Sequence, residues 1–488
     1  MRALPVWVIA LVAVSPIWLT RYLPIEDFPI HLATLRVVHS LHDPAFGLDE
    51  HFVLTLGRTQ YVGYYLLGSA LAAVFGVVHA NLILLSAYVV GTLFALRFLL
   101  SALEKDVRAC FLALPLLYNP LFMIGLFPFL LGIPMLFLAL AGFLRYLRKP
   151  SVPLGVLTAL SGVALFFWHV VPFGVLAIGM AATFPWSSRR ASALAAAPLV
   201  PVVGAAAFGL FGTDGGSQLL EALGAQRVAK REPFSVSLAE SYQWIGDQFR
   251  DRADELIFAV FAAIVVAIVI EGFGRGWQTS PRRYALVPLA CAVLYFLGGR
   301  SHGFIWPLSQ RFALLTLLLA IPLVPLPAAG RGKVALGAVL AVSLASIVNT
   351  AVHFRRFERE EVDHFDDVLA QMEPRKRVAA LIFDSKSSIA HWNPFLHFVS
   401  YYQAQKGGVV QFSFAGYNHW PFDYKKGQYP PPGGPARPRW EWTPEAVSVR
   451  EELYPYYDYV LTRGDGFDPP AGTFHVKARH GRWTLWQR

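Results

Sequence analysis

The chain has 488 residues, 55% of them hydrophobic and 15% charged, with a mean hydropathy of +0.46; this balance excludes an ordinary soluble domain and predicts a polytopic α-helical membrane protein. Residues 1–350 hold 24 Lys and Arg against 16 Asp and Glu, whereas residues 351–488 hold 18 against 16. Most of the net charge of +10 therefore lies in the apolar part, where it serves topology and lipid headgroups, and nucleic-acid binding is not expected.

Taken in order, residues 4–20 form a first span. Ala13-Val14-Ser15 imitates a cleavage site, but Pro16 follows it, so the span is expected to stay uncleaved. Residues 21–80 read as a long outer segment with two interfacial amphipathic helices, 29–42 and 61–76. Further spans are expected near 82–103, 108–120, 126–145, 152–168, 170–186, 191–211, 254–271, 285–298, 313–329 and 334–350, about eleven in all. This arrangement places every short basic loop on one side: Lys105 with Arg108, Arg145 with Arg148 and Lys149, Arg189 with Arg190, Arg275 with Arg282 and Arg283, and Arg331 with Lys333. The opposite side receives 21–80, a turn at His169, the loops 212–253 and 299–312, and the tail. Cys110 and Cys291 both lie in apolar runs, which implies neither a disulfide framework nor a thiolate metal site.

From residue 351 the composition becomes that of a soluble domain. A charged helix is expected over 353–373, then an α/β unit with strands at 378–383, 409–414 and 457–461, a helix at 394–405, a Pro/Gly-rich loop at 427–438, and a hairpin over 473–487 turning at His480-Gly481. The expected architecture is thus a membrane domain over 1–350, including the outer loop 21–80, and a C-terminal α/β domain over 351–488 outside the cytoplasm.

Chemistry concentrates just after the first span, where Glu26 and Asp27 precede Phe28-Pro29 and His31. Pro29 suits a first helical turn, which would set the acids at the positive end of a helix and favour an ionised carboxylate, the form needed by a general base or a cation ligand. The plainer reading is a solvated pair marking the end of the span. His31 fits substrate binding or an interfacial anchor. In the loop 299–312, Arg300 and Arg311 could clamp a phosphate bidentately or merely snorkel to headgroups, and His302 lies between them. Arg231 sits in the basic part of the loop 212–253. His169, among Phe166, Phe167, Trp168 and Phe173, fits a hydrogen-bonded core histidine as well as a binding residue. In the tail, Asp384, His391, His397 and His419 match no standard metal spacing, so no metal site is assigned.

With the acids after the first span, the outer helices and the later outer arginines in view, residues 1–350 resemble the GT-C superfamily of integral-membrane glycosyltransferases, notably aminoarabinose transferases and protein mannosyltransferases. The resemblance implies an acid, Asp27 or Glu26, serving the acceptor, and Arg300 or Arg311 holding the phosphate of a polyprenyl-linked sugar donor. The family's usual order is Asp-Glu; here it is Glu-Asp. It further implies membrane lipids and an extracytoplasmic acceptor as partners and a multi-pass location, in bacteria the inner membrane. No cofactor is required, and help from a divalent cation is left open. The tail matches no domain of the family. A transporter or flippase, or a non-catalytic anchor displaying the tail, are the competing readings; neither inverted repeats nor midplane ionisable groups favour transport.

Overall fold

The structure, a computed structural model, describes residues 6–488 apart from 60, 215, 218–219, 222–237, 274–282, 302–305, 328, 418, 432–439 and 449. The chain is mostly helical, with several apolar helices and a sheet-containing C-terminal region, as expected of a polytopic membrane protein. It divides into two compact units, one built from Met1–Ile17, Leu85–Phe122 and Leu126–Ala351, the other from Trp18–Leu84, Met123–Gly125 and Val352–Arg488.

Among the described residues, four helices are long and apolar enough to cross a bilayer: Gly63–Ala102, Phe127–Arg148, Ala253–Phe273 and Ala329–Glu360. The expected 191–211 span is a bent pair, Arg189–Ala196 and Leu199–Phe211, meeting at 54°; Pro198 stands at the break. Val6–Trp18, Val152–Phe166, Val170–Thr183 and Leu286–Leu297 are apolar but only 12–15 residues long. At about 1.5 Å per residue they reach roughly 20 Å, less than the roughly 30 Å hydrocarbon layer. The stretch expected as a span over 108–120 is instead a ten-residue 3-10 helix, Val107–Leu116, interrupted by Pro115. The expected 61–76 helix and 82–103 span are two parts of Gly63–Ala102, divided at Gly76, whose φ of 75° breaks the helical path.

The last apolar helix also differs from expectation. It runs without interruption to Glu360, followed by a short helix Phe365–Ala370, rather than ending at 350 before a separate charged helix 353–373. The charge pattern changes near 350, but neither Gly nor Pro occurs between Gly337 and Pro374, so nothing local stops the helix until Asp363 and His364 turn the backbone left-handed.

The second unit is organised by a five-stranded sheet, in the order Val409–Val410, Arg377–Ile382, Tyr459–Arg463, Trp483–Gln487 and His475–His480. Strands β2 (Arg377–Ile382), β3 (Val409–Val410) and β5 (Tyr459–Arg463) are parallel; β6 (His475–His480) and β7 (Trp483–Gln487) form the expected hairpin antiparallel to β5. The helix Ser400–Lys406 connects β2 to β3, giving the α/β crossover. Val378 to Ile382 are all buried, as a central parallel strand requires. Fully buried Arg463 is held by Asp384 at 2.7 Å and lies 3.5 Å over the Phe395 ring, which accounts for Asp384 structurally. Residues of the segment expected as an outer loop belong to this same unit: β1 (Phe52–Leu54) pairs antiparallel with β4 (Phe422–Tyr424), and Tyr22 packs edge-on against Tyr401 and Phe365. The boundary near 351 therefore separates compositions, while the compact unit also takes in residues 18–84.

Candidate functional site

The turn after the first helix brings Glu26 and Asp27 against the short segment 123–125. Glu26 donates its N–H to the Met123 carbonyl and Asp27 donates its own to the Ile124 carbonyl, both at 3.0 Å. Gly125, with φ of 101°, lies so close that an added Cβ would stand 2.8 Å from the Asp27 Cβ, so only glycine fits on both counts. Asp27 occupies the N-cap position of the helix Phe28–Ser40, with Pro in the first turn as expected, but its carboxylate makes no capping hydrogen bond. That side chain is thereby available for other partners.

Its partner comes from the far end of the sequence. His397 Nε2 lies 3.4 Å from Asp27 Oδ1, with its ring stacked on Phe412. Glu26 Oε2 accepts the Asn393 N–H at 3.1 Å. Burial raises the Asp27 carboxyl well above the usual range, and the neighbouring Glu26 charge adds to the rise. Glu26 is raised chiefly by burial, against the lowering effect of Asn393. Burial also depresses His397 to about 3. Desolvation thus outweighs the helix dipole, which alone would favour the charged carboxylate. The His397–Asp27 distance would admit an ion pair, but the burial of both groups makes it a contact of a neutral imidazole; the physical cost of a buried cation decides this in favour of the neutral form.

His31 is 3% exposed and secures this turn. Its Nε2 donates to the Gly125 carbonyl at 2.8 Å, and its Nδ1 accepts from the Tyr65 hydroxyl at 2.9 Å, an assignment fixed because a carbonyl can only accept. Burial lowers its pKa to about 4, partly opposed by the Gly125 bond. Tyr64 in turn donates to Asn81 Oδ1, and Trp420, hydrogen-bonded to Thr34 at 3.1 Å, closes the aromatic wall beside His31. These bonds commit both ring nitrogens of His31 to holding Gly125 and hence the acids.

In the helical unit, Arg311 and His169 meet. Arg311 is 6% exposed; its Nε donates to the Pro307 carbonyl at 2.6 Å, its Nη1 stands 2.7 Å from His169 Nε2, and its guanidinium lies 5.3 Å from the Phe129 ring centre. His169 is the N-cap of Val170–Thr183, and its Nδ1 accepts the Val171 N–H at 3.0 Å. A neutral imidazole has one acceptor nitrogen. The imidazole and the guanidinium thus stand side by side in direct contact, a buried cationic group beside a histidine ring. Arg300 is engaged differently, in a half-exposed ion pair with Glu240 at 2.9 Å. Arg231 and His302 lie outside the described residues.

His397 and Gly125 are the residues that sequence reasoning missed. His397 matches no metal spacing and Gly125 has no distinguishing neighbours in the sequence; nothing in local pattern ties either to Asp27.

No protein-family model matches the chain, and no curated protein sequence matches it. Two crystal structures of ArnT from Cupriavidus metallidurans, one bound to undecaprenyl phosphate and one in the apo state, superpose on it with TM-scores of 0.59 and 0.56, each at 12% identity over 99% of this chain and 96% of theirs. The chain has the ArnT fold. The resemblance to GT-C transferases, drawn from the first-loop acids and later arginines, therefore holds at the level of fold, and it reaches the C-terminal residues that the sequence matched to nothing.

Proposed function

We propose that the chain is an integral-membrane GT-C glycosyltransferase that moves a sugar from a polyprenyl-phosphate donor to an extracytoplasmic lipid, glycan or protein acceptor. The observation carrying this reading is the likeness to ArnT along nearly the whole chain, including the ArnT structure bound to undecaprenyl phosphate. Asp27 is the base: its carboxylate takes the proton of the acceptor hydroxyl or amine as that atom bonds to the anomeric carbon, while the bond from that carbon to the phosphate oxygen breaks. Glu26 lies beside it with one oxygen already occupied by Asn393. Arg311, with His169, holds the phosphate of the polyprenyl donor and meets the negative charge gathering on it as it departs. Arg300, Arg231 and His302 remain donor-side candidates, and His31 acts through Gly125.

On this reading the chain crosses the membrane several times, with short basic loops inside and residues 352–488 outside, in a bacterial inner membrane. Ser187→Cys should react only with reagents entering from the cytoplasmic side. For the activity, the purified full-length protein is reconstituted with polyprenyl-phosphate-linked sugars and candidate acceptors, and transfer is followed by mass change. Transfer abolished by Asp27→Asn is the expected result; movement of the intact donor across the bilayer without transfer would replace the enzyme by a flippase.

A further inference from the structure

We infer that a groove on the side of the helical unit that carries the basic loops holds one anionic phospholipid, with its phosphate at Lys149, Ser151 and Arg190 and an acyl chain along the groove floor. The groove encloses about 440 Å³ between Tyr146, Gly155, Val156, Ala159, Leu194 and Pro198, a size typical of small-ligand cavities. Proline shapes it. Pro198 has no N–H to give to the Leu194 carbonyl four residues before it, and that carbonyl takes the Tyr146 hydroxyl at 2.9 Å. This bond ties two of the walls together, and the 54° bend between Arg189–Ala196 and Leu199–Phe211 falls at the same place. Gly155, where an added Cβ would stand 3.2 Å from the Tyr146 ring, and Ala159 keep the floor open.

The floor is apolar and the mouth is basic. Val152 and Val156, both at the groove, are more than half exposed. Lys149 directly precedes Pro150 and Ser151, which line it. Arg190 lies one turn before Leu194, on the same face of its helix. Lys149 and Arg190 are both exposed and make no ion pair among the described residues, whereas neighbouring Arg148 is engaged by Glu104 at 2.8 Å. Ser151 is the N-cap of Val152–Phe166, yet its hydroxyl makes no capping bond and is available to a phosphate oxygen. Inside a bilayer an acyl chain gains nothing from leaving water, so the groove supplies shape while the mouth supplies selectivity. A basic mouth between spanning helices selects an anionic headgroup, and Arg190 can hold its phosphate with two hydrogen bonds.

The test counts lipid and needs no enzymatic readout. Full-length protein is stripped of lipid in detergent and titrated with phosphatidylglycerol or phosphatidylcholine, and bound lipid is counted by native mass spectrometry. One phosphatidylglycerol per chain should be retained, roughly tenfold more tightly than phosphatidylcholine. Lys149→Gln combined with Arg190→Gln should weaken that binding roughly tenfold or more, and Ala159→Phe, which fills the floor, should abolish one-to-one retention. Lys333→Gln, an exposed base of another loop, should change nothing. Equal retention of the two lipids by the wild type, or unchanged affinity in either groove variant, overturns the proposal. Displacement of phosphatidylglycerol by an equimolar polyprenyl phosphate also overturns it, because the groove would then be a prenyl site. Stoichiometry and lipid preference are read on the wild type and require no variant to fold.

Discussion

The two charged centres are built on opposite principles. Around Glu26 and Asp27, burial works against ionisation and the immediate partners are a backbone N–H and a neutral imidazole, so both carboxyls keep their protons to higher pH than ordinary carboxyls do. Around Arg311, the charge is permanent and is fixed by a carbonyl and a histidine. One centre can gain or lose a proton; the other can only attract. On the proposed transferase reading the first would serve as base and the second would hold phosphate, and the contrast can be attacked from either end.

The largest effect is expected at Asp27. Asp27→Asn keeps size but cannot take a proton, and transfer should fall on the order of a hundredfold to ten-thousandfold through kcat, with Glu26→Gln milder; near wild-type rates in the double variant would remove the base assignment. Arg311→Gln should act on the other side of the comparison, raising KM for the polyprenyl donor roughly tenfold to a hundredfold. If it lowered kcat alone, Arg311 would not be holding donor in the ground state.

Titration sharpens the contrast. With the raised Asp27 carboxyl as base, kcat should fall about tenfold per pH unit below its pKa and level off above it, while the contribution of Arg311 to KM stays flat over the same range. The linked stability runs the other way. Groups whose folded pKa is raised favour the folded state at low pH and lose that contribution as pH rises through the folded value. Asp27→Asn should therefore melt higher than wild type on the alkaline side. His31 and His397 are depressed, so their contribution is present above about pH 6.5 and is lost as pH falls toward 4.

Smaller effects are expected in the scaffold of the acids. Gly125→Ala forces a left-handed residue and a Cβ into Asp27, and should cost about 1–3 kcal/mol, read as a lower melting temperature together with lost activity. Tyr65→Phe removes only the hydroxyl donated to His31 and should cost about 1 kcal/mol. A larger loss in Tyr65→Phe than in Gly125→Ala would reverse the order in which these contacts support the site.

Much of this architecture was legible along the sequence. The helix at Phe28 was announced by Asp27 and Pro29, the Phe127–Arg148 span by its unbroken apolar run, and the last hairpin by Gly481 between strand-like segments. What escaped were pairings across long separations: β1 with β4, Gly125 against Asp27, and His397 against Asp27. Such contacts leave no periodicity, because each partner's local pattern is satisfied by its own element. The ten-residue 3-10 helix at Val107–Leu116 escaped for a different reason, since hydropathy records that a segment is apolar but not its rise per residue. The merging of the last span with the charged helix shows the same limit: a shift in composition marks a change of environment without ending a helix.

The discontinuity of the second unit carries a consequence for biogenesis. Its first piece ends at Leu84 and its last begins at Val352, so at ribosomal rates of about 5–20 residues per second the early piece waits roughly 15–50 s for its partners. During that interval Phe52 lacks β4, Tyr22 lacks Tyr401, and the acids lack His397. The nascent chain must carry an incomplete, aromatic-rich surface until the ribosome has all but finished. Truncated products would then be strong clients for membrane quality control, and the surroundings of the acid pair would be complete only with the final quarter of the polypeptide.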